Sequence, residues 1–224
     1  MNKVRQIDEL LEEYYGRRSQ ARLKDPLTEL VLTVLSQNTN DRNRDRAFEE
    51  LKKAFPTWQD TAQASPAKLA SAIRVGGLAK IKANRILTML KGIKKAHGEY
   101  DLGFLERWPD EKVRDYLVAI DGVGPKTAAC VLAFALGRDV MPVDTHVHRV
   151  ATRLGILPVG HTAEAAHDYF LEFRGGLSLY QLHLNLIEHG RKICRARNPL
   201  CGVCRLKRHC HYYRRLKNSG ARAA

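Results

Sequence analysis

The chain has 224 residues, of which 44% are hydrophobic, so it is long enough for one sizeable domain or two small ones with buried cores. It holds no apolar run long and uncharged enough to span a bilayer, and its charged start, MNKVRQIDELLEEYYG, does not resemble a secretion signal. We therefore expect an intracellular, cytoplasmic protein without a membrane partner. The formal net charge of +14 indicates either a polyanionic partner or a general solubility role.

Apolar residues recur at helical spacing along nearly the whole chain, and alternating, strand-like runs are almost absent. Clear examples are residues 26–35, 85–93, 112–120 and 148–157, and the segments between such runs are rich in Gly, Pro, Asn and Asp. The sequence therefore predicts an all-α protein of about ten short helices.

Residues 112–136, KVRDYLVAIDGVGPKTAACVLAFAL, predict two helices joined by a tight turn. Gly122 and Gly124 allow positive φ and leave no Cβ between the backbone N–H groups and a phosphate. Pro125 favours a helix start, so Lys126 falls in the first helical turn, where the helix dipole should lower its pKa and favour the nucleophilic amine. Two other interpretations stay open here: an ordinary helix corner, and a lysine that only binds phosphate.

Asp144 precedes a periodic helix in MPVDTHVHRVATRL, where an N-cap residue belongs, a role worth about 0.5–2 kcal/mol. If this carboxylate also faced Lys126, it could take up the lysine proton and stabilise positive charge on a sugar ring. His146 and His148 follow, and the sequence gives them no role beyond packing or phosphate contact.

Four of the five cysteines form the pattern C-x6-C-x2-C-x5-C: Cys194, Cys201, Cys204 and Cys210. Disulfides are disfavoured because the chain carries no secretion signal. Zinc and an iron-sulfur cluster both remain open, and the wide spacing favours the cluster. The fifth, Cys130, is interpreted as a buried core residue without chemistry.

The excess of positive charge lies near the C-terminus. After Glu188 there is no acidic residue, whereas eleven Lys and Arg follow. We interpret the segment from Arg214 onward as a solvated basic tail. In residues 191–210 the basic side chains alternate with cysteines that would hold them rigid, which favours contact with nucleic acid.

These segments, in this order, resemble the endonuclease III family of helix-hairpin-helix DNA glycosylases with associated AP lyase activity. The similar segments are LSQNTND (35–41), GGLAKIKANRI (76–86), AIDGVGPKTAACVL (119–132), VDTHVHRVATRLG (143–155) and the four-cysteine loop. The resemblance implies base excision repair of double-stranded DNA that contains damaged bases, oxidised pyrimidines above all, or abasic sites. It also implies a monomer that, in a prokaryote, would be associated with the nucleoid.

The resemblance implies an all-α, two-lobed helix-hairpin-helix DNA glycosylase fold with a DNA cleft between the lobes. Residues 21–138 would form a six-helix bundle that includes the hairpin motif at about 112–137. Residues 1–20 and 139–224 would form a discontinuous iron-sulfur domain. Within it, residues 194–210 would be the cluster loop and residues 211–224 the basic tail.

The resemblance also implies roles for single residues. Lys126 matches the lysine that attacks C1′ of the flipped nucleotide, displaces the base and leaves a Schiff base from which β-elimination nicks the strand. Asp144 matches the catalytic aspartate. The hairpin residues Gly122, Val123 and Gly124 would grip the DNA backbone.

Further roles concern the DNA stack and the metal. Gln37 matches the glutamine that fills the space of the flipped base, and Leu78 matches the wedge in the opposite strand, since extrusion leaves a gap. The four cysteines match the ligands of a [4Fe-4S] cluster, whose loop would hold Lys207 and Arg208 against phosphates.

Three alternatives remain. Superfamily members that remove bases from mismatches typically lack the lysine, and the adenine-removing branch has a glutamate where this chain has Thr33. A non-catalytic DNA-binding module would make Lys126 replaceable, and a zinc-stapled scaffold would be colourless.

The connection through residues 97–111 is longer than the family pattern suggests, and its role stays open, as does that of His148.

Overall fold

The computed structural model describes residues 2–18 and 24–219, and within them it contains α-helices and no β-strand, so the predicted all-α class is confirmed. In chain order the helices are α1 (Asn2–Tyr15), α2 (Pro26–Leu35), α3 (Asp41–Ala54), α4 (Trp58–Gln63), α5 (Pro66–Ala72), α6 (Ala79–His97), α7 (Asp110–Val118), α8 (Pro125–Cys130), α9 (Thr145–Leu154), α10 (Ala163–Leu171), α11 (Leu179–Lys192) and α12 (His211–Asn218). No helix of the described residues is long and apolar enough to cross a membrane.

The chain divides into two compact units, a central unit, Arg22–Arg138, and a terminal unit made of Met1–Ala21 and Asp139–Ala224. The described part of the central unit holds seven α-helices, one more than the predicted six. Helices α4 and α5 have only six and seven residues. Fewer than two helical turns give no readable periodicity, so helices of this length are easily left uncounted in a prediction from sequence.

Helix α2 is the core helix of the central unit. Its start follows from an N-cap, since the side chain of Asp25 accepts a hydrogen bond from the backbone N–H of Thr28 and Pro26 occupies the first turn. Eight of its ten residues are buried, and it packs against α3, α6 and α8. A helix that is apolar nearly all round is stable only when neighbours cover it on several sides.

The connection from α6 to α7 is a packed part of the central unit. It contains a short 3-10 helix, Gly103–Arg107, that buries Leu105 completely. The rings of Phe104, Trp108 and Tyr116 meet edge to face, with centroids 5.0–5.7 Å apart. The length of this connection is therefore explained by a small aromatic core that anchors α7.

The terminal unit is built around the packing of α9 on α11. Helix α1 lies against α11 and against a short 3-10 helix, Arg205–His209, and α10 and α12 pack on α9. The predicted basic tail begins with α12, from which Tyr212 and Tyr213 pack against the hydrophobic core of this unit. Residues 220–224 lie outside the described residues.

Candidate active site and metal centre

The turn between α7 and α8 uses its two glycines differently. Gly122 has φ +87°, and a Cβ there would lie 2.7 Å from Cγ of Arg85, so both conformation and packing require glycine. Gly124 has φ −97°, which any residue can adopt, and nothing lies within 4 Å of where its Cβ would be. The expected positive φ is therefore found at Gly122 alone, whereas the open space lies at Gly124. Val123, between them, is buried.

Lys126 lies half-buried in the first turn of α8, whose start no side chain caps. One turn further on, Cys130 is only 3% exposed, as expected for a core residue. Its thiol, however, hydrogen-bonds to Lys126. Burial raises the pKa of Cys130, and Lys126 partly offsets that effect. The interpretation of Cys130 as a residue without chemistry thus missed its contact with the candidate nucleophile.

Helix α2 presents an acid to the same region. Oγ1 of Thr33 donates a hydrogen bond to Oε1 of Glu29 at 3.3 Å, and Thr33 also counteracts the rise in the pKa of Cys130. Burial raises the pKa of Glu29, while Thr33 and the positive charges of Lys24, Arg44 and Lys126 counteract it. Glu29 was not predicted from the sequence, in which its one signal is a single charged residue in a mostly apolar helix.

Two loops meet near the start of α6. Oε1 of Gln37, just after α2, accepts a hydrogen bond of 2.5 Å from Nη1 of Arg85. Leu78 is 48% exposed and has φ +49°, and Asn38 has φ +51°, a region that residues other than glycine seldom occupy. A Cβ on Gly77 would lie 4.0 Å from the carbonyl oxygen of Asn38, so the two loops are neighbours. Arg85 further contacts the hairpin at Gly122, which brings all three predicted DNA-contacting segments of this unit around α6.

Asp144, in the terminal unit, is the N-cap of α9. Its Oδ1 accepts a hydrogen bond of 2.7 Å from the backbone N–H of Val147, so the predicted capping position is observed. His148 bonds through Nε2 to the carbonyl oxygen of His161 at 2.8 Å, which gives it a structural role. Burial lowers the pKa of His146, and the charge of Asp144 opposes that shift. The pairing of Asp144 with Lys126 stays a prediction, because the two residues belong to different units.

The four spaced cysteines line one pocket of about 330 Å³, and none of them forms a disulfide. Burial, together with the neighbouring Cys210, Cys194 and Cys201, raises the pKa of Cys204 to about 11, against the opposing effect of a backbone hydrogen bond from Leu206. No group of three or more His, Cys, Asp or Glu side chains in the described residues is arranged to hold a single metal ion. All four cysteines nevertheless line the same pocket, and thiolate sulfur is the ligand type that iron-sulfur clusters use.

Hydrogen-bonding groups contact the sulfur atoms of this pocket, and one of them is an acceptor, since Sγ of Cys210 donates to the carbonyl oxygen of Arg153 at 3.2 Å. Nη1 of Arg153 lies 3.4 Å from Sγ of Cys194, and the backbone N–H of Tyr213 lies 3.4 Å from Sγ of Cys210. Nε2 of His189 lies 3.6 Å from the sulfur of a third cysteine, Cys204. Donors directed at sulfur balance the charge of thiolate ligands, so the residues present fit an iron-sulfur centre.

The basic residues of the cysteine loop differ in their availability to DNA. Nζ of Lys207 donates to the carbonyl oxygen of Gly202 at 3.0 Å and lines the cysteine pocket, whereas Arg208 is exposed. Arg205 pairs with Glu13 at 3.4 Å. Roles of Lys207 and Arg208 at phosphates stay predictions, and their geometry favours Arg208 as the more accessible of the two.

Comparisons with known proteins agree with this fold. Residues 31–173 match the HhH-GPD superfamily base excision DNA repair protein family. Endonuclease III of Thermotoga maritima is 35% identical over 213 residues, which cover 93% of this chain and 94% of that protein. Endonuclease III of Sulfolobus acidocaldarius is 35% identical over 186 residues, or 82% and 81% of the two chains. A solved structure described as a trapped endonuclease III-DNA covalent intermediate superposes with a TM-score of 0.80 at 26% identity, covering 96% of this chain and 98% of that one.

The fold and the helix-hairpin-helix site thus define a DNA repair protein of the base excision type. The chain belongs to the HhH-GPD superfamily of base excision DNA repair proteins, and the predicted resemblance to endonuclease III is confirmed.

Proposed function

We propose that this chain is a bifunctional DNA glycosylase and AP lyase that removes damaged bases, oxidised pyrimidines above all, from duplex DNA. One observation carries this proposal. Lys126 lies in the first turn of the helix that follows a Gly-Val-Gly hairpin and interacts electrostatically with Glu29, in the same unit that holds the Gln37 and Leu78 loops. A solved endonuclease III structure with the same fold is described as a trapped covalent intermediate with DNA, which agrees with a nucleophilic side chain.

In the proposed reaction the neutral amine of Lys126 attacks C1′ of the extruded nucleotide. The bond between C1′ and the base breaks, and the base leaves with the bonding electrons and is protonated. Ring opening gives a protonated Schiff base between Lys126 and C1′. Loss of a proton from C2′ then expels the 3′ phosphate, which nicks the strand.

Asp144 would stabilise the positive charge that develops on the sugar. One of its oxygens, Oδ1, already caps α9, which fixes the orientation of the carboxylate. A carboxylate offers a second oxygen with further acceptor capacity, so capping and catalysis are compatible. Asp144→Asn should keep the cap and still slow base removal.

DNA binding would use the hairpin and the two loops beside it. The open space over Gly124 lets a phosphate approach the backbone N–H groups of the turn. Gln37 and Leu78 would occupy the stack from which the damaged base is extruded. The exposed Leu78, in a conformation that a leucine rarely adopts, is the kind of strained residue found at functional sites.

The four cysteines would bind a [4Fe-4S] cluster. The cluster would supply no step of base removal and would hold the loop 194–210 in one shape. A coloured protein with four iron atoms per chain supports this assignment; a colourless protein with one zinc ion would contradict it. Cys201→Ser should lose the colour together with binding to any DNA.

Trapping with borohydride tests the catalytic part of the proposal. The wild-type protein should form a covalent complex with abasic-site duplex DNA, and Lys126→Gln should lose it while still binding the same duplex. Equal trapping by both proteins would contradict the proposal and favour a DNA-binding module. A panel of duplexes with one lesion each, a T·G mismatch included, identifies the preferred base.

A further inference from the structure

Lys82 is an unusual lysine in the first half of α6. Its side chain is buried to 1% exposure, and Nζ donates two hydrogen bonds of 2.7 Å. Both acceptors are backbone carbonyl oxygens, those of Leu35 and Gly76, rather than carboxylates. Burial lowers the pKa of Lys82 accordingly. Lysine is almost never fully buried without a charged partner, so a lysine at this position calls for a specific explanation.

The two acceptors lie at the bases of two loops. Leu35 is the last residue of α2, where helix carbonyls lack partners within the helix, and Gln37 follows two residues later. Gly76 ends a short 3-10 helix, and Leu78 again follows two residues later. The same ammonium group is therefore hydrogen-bonded to both loops, each just before its predicted DNA-contacting residue.

Backbone conformation and packing also constrain the two loops. The backbone of Asn38 and of Leu78 takes the left-handed conformation, and the Gly77 backbone lies close to the Asn38 carbonyl. A Cβ added to Gly76 would lie 3.1 Å from Cβ of Ala47, so the loop also packs tightly on α3. Small displacements of such loops would be carried directly to the side chains at their tips.

We propose that Lys82 is a positioning residue for base extrusion, whose buried ammonium fixes the separation of the Gln37 loop and the Leu78 loop. The inference rests on the proposed function, in which these loops enter opposite strands of the duplex. Both side chains must enter the base stack together to fill the gap that the extruded base leaves. Supporting groups must hold such residues in position to within a fraction of an ångström.

The experiment compares two substrates that differ in the need for extrusion. One duplex carries a single oxidised thymine, and the other carries an abasic site at the same position, where no base has to leave the stack. In Lys82→Met, single-turnover base release from the first duplex should fall at least tenfold more than borohydride trapping on the second. Lys91→Met, the same change at an exposed position of α6, should leave both rates unchanged.

Equal losses on both duplexes, or no loss on either, would overturn the positioning role. Since Lys82→Met removes two buried hydrogen bonds, folding is checked by circular dichroism and thermal unfolding. Lys82→Gln retains N–H donors on a shorter side chain and serves as the second variant; it should show the same substrate bias, smaller in size.

A readout that needs no chemistry separates this inference from the proposed function. With 2-aminopurine opposite the lesion, insertion of the loops disturbs its stacking and raises its fluorescence. Measured in the Lys126→Gln background, the rise should occur with Lys82 present and be lost with Lys82→Met. If wild-type protein traps no DNA, the lysine chemistry is refuted; if the fluorescence rise is independent of Lys82, the positioning role is refuted.

Discussion

Lys126 is surrounded by groups that control its proton. Within the central unit, its ammonium contacts the thiol of Cys130, and the partly buried carboxyl group of Glu29 interacts with it electrostatically. A nucleophilic lysine must lose a proton before it attacks, so a nearby anion, which favours the ammonium form, works against the reaction at neutral pH. The charge of Lys126 opposes the rise in the pKa of Glu29, and by the same attraction an ionised Glu29 favours the charged lysine.

The variant Glu29→Gln removes this anion and should favour the neutral amine. We expect the pH profile of borohydride trapping on abasic DNA to shift to lower pH by about 0.5–1 unit. The effect should be present where Glu29 is ionised, above its raised pKa, and vanish at lower pH where the carboxyl group is already protonated. Glu99→Gln, at an exposed position of the same unit, is the control. A shift to higher pH would instead identify Glu29 as the base.

At the level of single residues, the sequence was informative where chemistry lies in a local motif. Lys126, Asp144 and the four cysteines were singled out because each is defined by its immediate neighbours: a hairpin, a helix start, a ligand spacing. Glu29, Lys82 and Arg85 were not singled out, since their partners lie on other helices that are distant along the chain. A periodicity argument shows that a helix has a buried face but does not show which helix covers it.

The two glycines of the hairpin differ in backbone conformation and in what surrounds them. Gly122 has positive φ and lies against the side chain of Arg85, so its requirement is internal to the fold. Gly124 has an ordinary backbone conformation with open space around its Cβ position, so neither its conformation nor its packing requires glycine. The spacing of two glycines in the sequence did not distinguish these roles, because φ depends on the packing of the turn.

Two alanine variants should separate these roles. Gly122→Ala should lower the free energy of unfolding by about 1–3 kcal/mol, because alanine is strained at this φ and its Cβ would collide with Arg85. Gly124→Ala should change it by no more than about 1 kcal/mol, yet weaken binding to all duplexes, since its Cβ would occupy the space that a phosphate needs. Urea unfolding and DNA titrations measure both effects. A stable Gly124→Ala protein with unchanged affinity would show that the hairpin does not approach the backbone closely.

For the molecule as a whole, the discontinuous terminal unit joins the chain start to the cysteine loop. Helix α9 connects the two candidate sites of this unit, since Asp144 caps its beginning and Arg153, near its end, donates hydrogen bonds to Cys194 and to the carbonyl oxygen of Arg195. The sequence predicted the cap and the cysteine loop separately. It did not predict that one helix joins them, because the contacts of Arg153 with the cysteine loop are made between residues that lie more than 40 positions apart in the chain.

The net charge of +14 should be expressed as salt-dependent DNA binding, with the cysteine loop as one contributor. Replacing Lys207 and Arg208 together by Gln should weaken binding equally for damaged and undamaged duplexes. It should also reduce the slope of log affinity against log salt concentration by about one to two, since each phosphate contact contributes about 0.9.

Of the single variants, Arg208→Gln should have the larger effect, because the ammonium of Lys207 is hydrogen-bonded to Gly202. A double variant at Lys91 and Lys95 removes the same charge from an exposed face of α6 and should leave the slope nearly unchanged. A loss confined to damaged DNA would instead place Lys207 or Arg208 in lesion recognition.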